Sequence, residues 1–228
     1  MRTVIRYCLW IVVAAIADVP PAHSQDNPID PDKLEKLYKA VDDDREIMRH
    51  YRVCPAEIFE TVRHVSTPNI LDLDYSQVCA DAPGLCLNQC LNGRDASVCF
   101  DLALVLQEND AVVPPRYAQA LFAQSCAGGM LIGCTNRGAG IRNGRYEGDP
   151  FEDTEAGEID ACLNATFDTM CGRGDAWGCY MIGQSYDYGE GRPLDNAEAK
   201  RYYEMACTAV NVSKSACEAA KRAIGYLD

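Results

Sequence analysis

Residues 171–207 read CGRGDAWGCYMIGQSYDYGEGRPLDNAEAKRYYEMAC, and the spacing of apolar residues in this stretch predicts two short helices. Ile182, Gly183 and Tyr186 fall on one helical face together with Cys179. After a glycine-containing loop, a second face is formed by Ala199, Tyr202, Tyr203 and Ala206. Because two helices this short cannot each bury an apolar stripe alone, we expect them to stack on further copies of the same unit.

Cysteines recur at regular intervals along the second half of the chain. Cys171 and Cys207 lie 36 residues apart, as do Cys90 and Cys126, and 45 residues separate Cys126 from Cys171. Each of these four is followed eight to ten residues later by another cysteine, at Cys99, Cys134, Cys179 and Cys217. The same two-cysteine unit therefore occurs four times. Residues 143–157 contain the nine additional residues of the longer interval, and we predict that they form a surface insertion.

The unit within residues 171–207 resembles a Sel1-like repeat of the kind found in the Helicobacter cysteine-rich proteins. The matching residues are Ala176, Cys179, Ile182, Gly183, Tyr186, Gly189, Gly191, Asp195, Ala199, Tyr202, Tyr203, Ala206 and Cys207. The resemblance extends over roughly residues 85–226 and weakens outside this unit. Asn109 and Ala111 replace the loop glycines of the first repeat, and Arg137 replaces an apolar residue in the second.

This resemblance implies an all-α fold, an α/α solenoid with a TPR-like superhelix. Its units are helix-turn-helix repeats with intra-repeat disulfides, and the family is used mostly for protein interactions. In each unit the first cysteine ends one helix and the second lies in the opening turn of the next. We therefore predict the bonds Cys90–Cys99, Cys126–Cys134, Cys171–Cys179 and Cys207–Cys217. Closing a loop of about nine residues removes unfolded-chain entropy equivalent to about 2.6 kcal/mol.

Four further cysteines have no place in this pattern: Cys54, Cys79, Cys86 and Cys162. A bond from Cys54 to Cys79 or Cys86 is one alternative. Cys162 is either free or bonded to the N-terminal segment. The sequence does not decide between these pairings.

The first 24 residues have the pattern of a signal peptide. Arg2 and Arg6 precede an apolar run at residues 7–17, and Ala22 and Ser24 place small residues where a signal peptidase reads them. An 11-residue run is too short to cross a bilayer core of about 30 Å. We predict cleavage after Ser24, a linker at residues 25–31, and no membrane span in the mature chain.

Cleavage removes Cys8 and leaves twelve of the 13 cysteines, an even number that fits complete pairing in an exported protein, periplasmic or secreted. Zinc is the weaker interpretation of these cysteines. The chain has no C-x-x-C motif, and only His50 and His64 remain after cleavage. The nearest four-thiol set, Cys79, Cys86, Cys90 and Cys99, has the wrong spacing. We predict no metal and no cofactor.

The charge of the chain argues against nucleic acid as a partner. Cleavage takes two of 21 basic and one of 34 acidic residues, which leaves a net charge of −14. A polyanion is repelled by such a protein. The excess of carboxylates is consistent with solubility in an export compartment.

Residues 32–90 are predicted to form a helical cap and a degenerate repeat, and residues 91–228 the Sel1-like repeats. Apolar spacing favours helices over residues 32–51 and 55–65, with an irregular connection at 66–82. The acidic run 42–44 is interpreted as a solvated face or a break between two helices.

A protein-binding groove is predicted on the side of residues 176–188 that faces away from the core. Trp177, Met181, Gln184 and Tyr188 share that side on a helical wheel. The preceding units would add Asn136, Ala139, Asn143, Asp101 and Leu104 to the same groove. The alternative is that Trp177 and Met181 pack against the adjacent repeat.

Catalysis has little support in the sequence, and we predict that the protein is not an enzyme. Some relatives in the Helicobacter family are assigned to penicillin binding and β-lactamase action, so a hydrolase is the main alternative. The chain has no S-x-x-K, S-D-N, K-T-G or G-x-S-x-G motif. A redox or assembly factor for envelope or respiratory complexes is a second alternative, and an unpaired Cys162 would favour it. The sequence thus favours an exported interaction module whose partner is an unidentified protein or peptide.

Overall fold

The computed structural model describes residues 29–63, 75–144, 147–211 and 213–227. The predicted cleavage site after Ser24, and His64, lie outside these residues. The described part folds into the helices α1 (Pro31–Asp43), α2 (Arg45–Tyr51), α3 (Pro55–Glu60), α4 (Tyr75–Asp81), α5 (Pro83–Asn92), α6 (Ala96–Glu108), α7 (Pro115–Ala127), α8 (Leu131–Gly144), α9 (Ala156–Gly172), α10 (Ala176–Tyr188), α11 (Asn196–Thr208) and α12 (Lys214–Leu227). An all-α fold is confirmed for this part, which has no β-strand and one isolated bridge, Asp175 with Asn211.

Asp44 divides the predicted helix 32–51 into α1 and α2. Its carboxylate accepts hydrogen bonds from the backbone N–H groups of Glu46 and Ile47, at 2.9 and 3.0 Å. An aspartate in this position caps the second helix and has extended backbone angles that end the first. The break is one of the two interpretations given for the acidic run.

Two predicted boundaries in the N-terminal region are wrong. α3 ends at Glu60, although helix was expected as far as residue 65, because Thr61 adopts the C-cap and its hydroxyl donates to the carbonyl of Ile58 at 2.7 Å. Residues 75–81 form α4 instead of an irregular connection. Burial of Cys79 and its bond to Cys86 hold this short helix against the core. At the end of the predicted linker, Ile29 is buried and Pro31 begins α1.

From α5 onward, each helix packs mainly against its neighbours in the chain. The starts of three of these helices are capped by aspartates, Asp95, Asp175 and Asp195, which accept backbone N–H groups of the first turn. Gly189 ends α10 with φ of 69°, a left-handed conformation that glycine adopts without steric cost. We call α5 to α12 the helix row. Its consecutive helices are joined alternately by short turns and by longer loops.

The repeated sequence unit gives the same contact in consecutive helix pairs. In α10, a Cβ on Gly183 would lie 2.5 Å from the ring of Tyr203 in α11. In α8, a Cβ on Gly138 would lie 2.9 Å from the ring of Phe167 in α9. An aromatic ring of the second helix thus lies directly on a glycine of the first, and both rings are fully buried. These residues occupy equivalent positions in the sequence repeat.

α2 and α3 fold back over the middle of the row. α2 packs on α7, and α3 packs on α7, α8 and α9. Ile58 and Phe59 of α3 share a core with Ala123, Leu131 and Met170 of these helices. The predicted cap, residues 32–90, therefore lies partly across later helices and not only at the end of the row.

Candidate functional site

Six disulfides join the cysteines of the described residues. Four are the pairs expected from the sequence spacing: Cys90–Cys99, Cys126–Cys134, Cys171–Cys179 and Cys207–Cys217, with Cα–Cα distances of 4.5–4.8 Å. Each joins the end of one helix to the first turn or two of the next. The bonds therefore clamp the short turns and leave the longer loops of the row unbridged.

The two remaining bonds are Cys54–Cys162 and Cys79–Cys86. The alternative that paired Cys54 with Cys79 or Cys86 is wrong, because α3 docks on α9 and carries Cys54 to it. Thr166 of α9 reinforces this docking, since its hydroxyl accepts the backbone N–H of Ala56 at 3.2 Å. Cys162 thus reaches the N-terminal segment, which was the other possibility for it.

The predicted binding face on α10 is divided by the structure. Met181 is buried and only 6% exposed, so it belongs to the core and not to a groove. Its backbone carbonyl and the Ser185 hydroxyl accept hydrogen bonds from Arg142, so α8 lies against this side of α10. The alternative that Met181 packs against the adjacent repeat is the correct one.

The other predicted residues on α10 keep some contact with solvent. Trp177 is half-buried, and its ring meets the ring of Tyr180 edge-on at a centroid distance of 5.4 Å. Gln184 is also half-buried and donates to the Tyr180 hydroxyl at 3.2 Å. Tyr188 is 62% exposed. These three side chains form a partly aromatic surface, which we call the α10 face.

The residues predicted to join this groove from earlier repeats differ in exposure. Asn136 is half-buried, and its side-chain amide donates a hydrogen bond to the carbonyl of Ile132 in its own helix at 2.9 Å. Asn143 is exposed at the end of α8. Leu104 is half-buried and packs on the N-terminal core, and Asp101 and Ala139 are half-buried as well.

Asn143 borders a cavity of about 220 Å³ between α8, α9 and the loop after α10. The lining residues are Arg142, Asn143, Ala156, Ile159, Asp160, Leu163, Asn164 and Glu190. The floor is apolar where α9 contributes Ile159 and Leu163, and the rim is polar. The cavity is large enough for a side chain of another molecule.

Arg142 fixes the inner wall of this cavity. Its guanidinium donates to the Ser185 hydroxyl at 2.5 Å and to the Met181 carbonyl at 3.3 Å, and it lies over the ring of Phe167. Burial lowers the pKa of Arg142, and the carboxylate of Glu190, 3.6 Å away, acts in the opposite direction. Arg142 therefore holds α8 and α10 together through the hydrogen bonds of its guanidinium.

Residues 143–157 are not only a surface insertion, as the sequence suggested. Asp149 turns inward and lies 3.4 Å from Arg137, and both side chains are fully buried. Arg137 also donates to the carbonyl of Tyr51 at 3.2 Å and to Gln119 at 3.3 Å, and it lies over the rings of Tyr51 and Phe151. The departure of Arg137 from the apolar repeat pattern was the sequence signal for a buried partner, and this signal was missed.

Asp175 makes a second link between α8 and α10. Its carboxylate accepts the hydroxyl of Thr135 at 2.5 Å and the backbone N–H of Gly178 at 2.9 Å. Burial raises the pKa of Asp175, and these hydrogen bonds oppose the shift. The same carboxylate therefore caps α10 and joins it to α8.

The residues that the structure describes include one histidine, His50. Among them, no group of three or more histidine, cysteine or carboxylate side chains is arranged to hold a metal ion. The ring of His50 is bound to the amide oxygen of Gln124 at 2.8 Å and lies 3.2 Å from Arg49. No helix in the described ranges is long and apolar enough to cross a membrane.

Comparison of the chain with protein-family models, with curated proteins and with solved structures finds no match. The likeness to Sel1-like repeats therefore depends on the residues quoted above and on the repeated contacts of the helix row.

Proposed function

We propose that the chain is an exported, disulfide-stabilised Sel1-like repeat protein whose helix row is a TPR-like α/α solenoid. Its function is to bind another protein or peptide, without chemistry of its own. The observation that carries this proposal is the recurrence of one disulfide at every second helix junction from α5 to α12. Covalent clamping of each turn keeps a row of short helices rigid, and a rigid row presents a preorganised surface to a partner.

The α10 face and the adjoining cavity are the surface that we assign to this partner. Tyr and Trp are enriched among residues that dominate binding energy, and Tyr188 is the most exposed aromatic residue of α10. The cavity that Asn143 borders has an apolar floor, and its lining includes Glu190, two residues after Tyr188. A partner side chain in the cavity and an apolar contact on Tyr188 would together form a small interface.

Site-specific photocrosslinking tests this proposal. A photoreactive phenylalanine analogue replaces Tyr188, and in a matched control it replaces Tyr226, which is 88% exposed on the last helix. Each variant is expressed with its own leader, irradiated in intact cells, and analysed by mass spectrometry of the adducts. We expect one recurrent adduct from position 188 and none from position 226. Equal labelling from both positions, or none from either, would contradict the assignment.

Catalytic activity is tested with the substrates of the main alternative. We expect no hydrolysis of a chromogenic β-lactam and no covalent labelling by a fluorescent penicillin, because the acyl-transfer motifs are missing from the sequence. Stoichiometric labelling of any serine would overturn this part of the proposal. An unpaired Cys162 would have favoured the alternative of a redox or assembly factor, and this cysteine is bonded to Cys54.

A further inference from the structure

An apolar groove lies between α1 and the turn that joins α4 to α5, at the opposite end of the helix row from α12. It has a volume of about 420 Å³, within the range of about 300–1,000 Å³ that is typical of ligand pockets. Leu37 and Leu87 are buried in its floor, and Leu85 is 53% exposed at its edge. Its lining residues all belong to α1 and to residues 81–87.

The charge of the groove is opposite to that of the whole protein. Its lining contains Lys33, Lys36 and one acidic residue, Asp81, although the chain carries a net charge of −13. The Lys33 ammonium donates to the backbone carbonyl of Asp81 at 3.3 Å, and the Asp81 carboxylate accepts from the Gln77 amide. Lys36 makes no hydrogen bond or ion pair with the described residues. Lys36 thus adds a positive charge to the lining of the groove.

We propose that this groove binds an extended or helical peptide segment of a partner protein that combines aliphatic side chains with carboxylates. The aliphatic side chains would lie on Leu37, Leu85 and Leu87, and the carboxylates would pair with Lys33 and Lys36. A second copy of the chain fits less well, because twofold pairing of this face with itself would place lysines against lysines. The inference rests on the proposed function and names a second contact surface and its chemistry.

Gly84 provides a way to block the groove without disturbing the fold. It is the second residue of α5, its φ is not positive, and a Cβ built on it meets no atom within 4 Å. A Gly84→Phe side chain can therefore occupy the groove. Gly225 in α12 has the same properties, so Gly225→Phe is a matched control at the other end of the chain. Both changes replace a helical glycine and favour the helix.

The test is selection of a phage library of random linear peptides on the immobilised protein, followed by removal of clones that also bind Gly84→Phe. We expect the remaining clones to be net acidic with several aliphatic residues. Synthetic peptides from them should bind Gly225→Phe as they bind the wild type, and Gly84→Phe at least about tenfold more weakly. The double variant Lys33→Glu/Lys36→Glu should also lose at least tenfold. The new carboxylate at position 33 lies in the first turn of α1, where it favours the helix dipole.

Selection of basic clones, or of none that depends on Gly84, would overturn the inference. Self-association that Gly84→Phe abolishes would overturn it too, because a second copy would then be the occupant. Each of these outcomes removes only the inference about the groove, provided that photocrosslinking at position 188 yields an adduct. Loss of that adduct as well would remove the proposed function itself.

Discussion

The carboxylate of Asp149 lies 3.4 Å from the guanidinium of Arg137, and both side chains are fully buried between the helix row and residues 143–157. Breaking such a pair leaves an uncompensated charge in the core. We expect Asp149→Ala to lower the free energy of unfolding by about 3–5 kcal/mol. Urea denaturation of the oxidised protein measures this change.

Two controls accompany this prediction. Asp153→Ala removes an exposed carboxylate from the same segment and should change the stability by less than about 0.5 kcal/mol. The double variant Arg137→Met/Asp149→Ala should be more stable than Asp149→Ala alone, because it removes the unpaired cation. A small effect of Asp149→Ala, similar to that of Asp153→Ala, would show that the pair does not hold the segment in place.

The buried carboxylate of Asp175 gives a second prediction, on pH. Burial raises the pKa of Asp175 in the folded state above its ordinary value of 3.8. At a pH between these two values, the folded state holds a proton that the unfolded state has released. The contribution of Asp175 to stability is therefore greatest at low pH, and it decreases as the pH rises from about 3.8 through the folded pKa.

Asp175→Asn retains an acceptor for Thr135 and Gly178 but does not titrate. The difference in stability between wild type and this variant should shift in favour of the variant as the pH rises through that window. Asp175→Ala, which loses the cap, should be less stable than Asp175→Asn at neutral pH by about 1 kcal/mol or more. A difference between wild type and Asp175→Asn that does not vary with pH would contradict the raised pKa.

The Cys54–Cys162 bond should contribute more to stability than any bond at a helix junction. It closes a segment of 108 residues, compared with seven to ten for the others. On the chain-entropy model, this length corresponds to about 4–5 kcal/mol and the short loops to about 2.6 kcal/mol. We expect Cys54→Ala/Cys162→Ala to melt at a lower temperature than Cys207→Ala/Cys217→Ala. Equal melting temperatures would argue against the long-range connection.

The difference in exposure between Met181 and Tyr188 of α10 predicts opposite effects for their substitution. Met181→Ala removes a buried side chain and should cost about 2–5 kcal/mol of stability. Tyr188→Ala should leave the melting temperature nearly unchanged, because the side chain is mostly exposed. The same tyrosine variant should reduce capture of the crosslinked partner at least about tenfold. Undiminished capture by Tyr188→Ala would exclude this residue from the interface.

Local spacing made part of this structure predictable. The bond between Cys171 and Cys179 joins residues eight apart in the sequence, so a turn between two helices suffices to predict it. Cys54 and Cys162 depend on how α3 crosses α9, and no periodicity in either segment encodes that crossing. The burial of Met181 has the same origin, since a helical wheel shows which residues share a side but not which neighbour covers that side. Arg142, which donates to the backbone carbonyl of Met181, comes from another repeat.

The Cys54–Cys162 disulfide also determines which fragments stay joined when a protease cuts the chain. Cys54 and Cys162 lie on either side of both the loop after α6 and the connection between α8 and α9. A protease that cleaves at either place therefore leaves two fragments that stay joined until a reductant is added. A cut in the loop between α10 and α11 has no such bond across it, because Cys207 and Cys217 both lie beyond it. No disulfide of the described residues therefore holds α11 and α12 to the rest of the row, and a protease that cuts this loop under oxidising conditions can release them. The released part would include Tyr203, whose ring lies on Gly183 of α10.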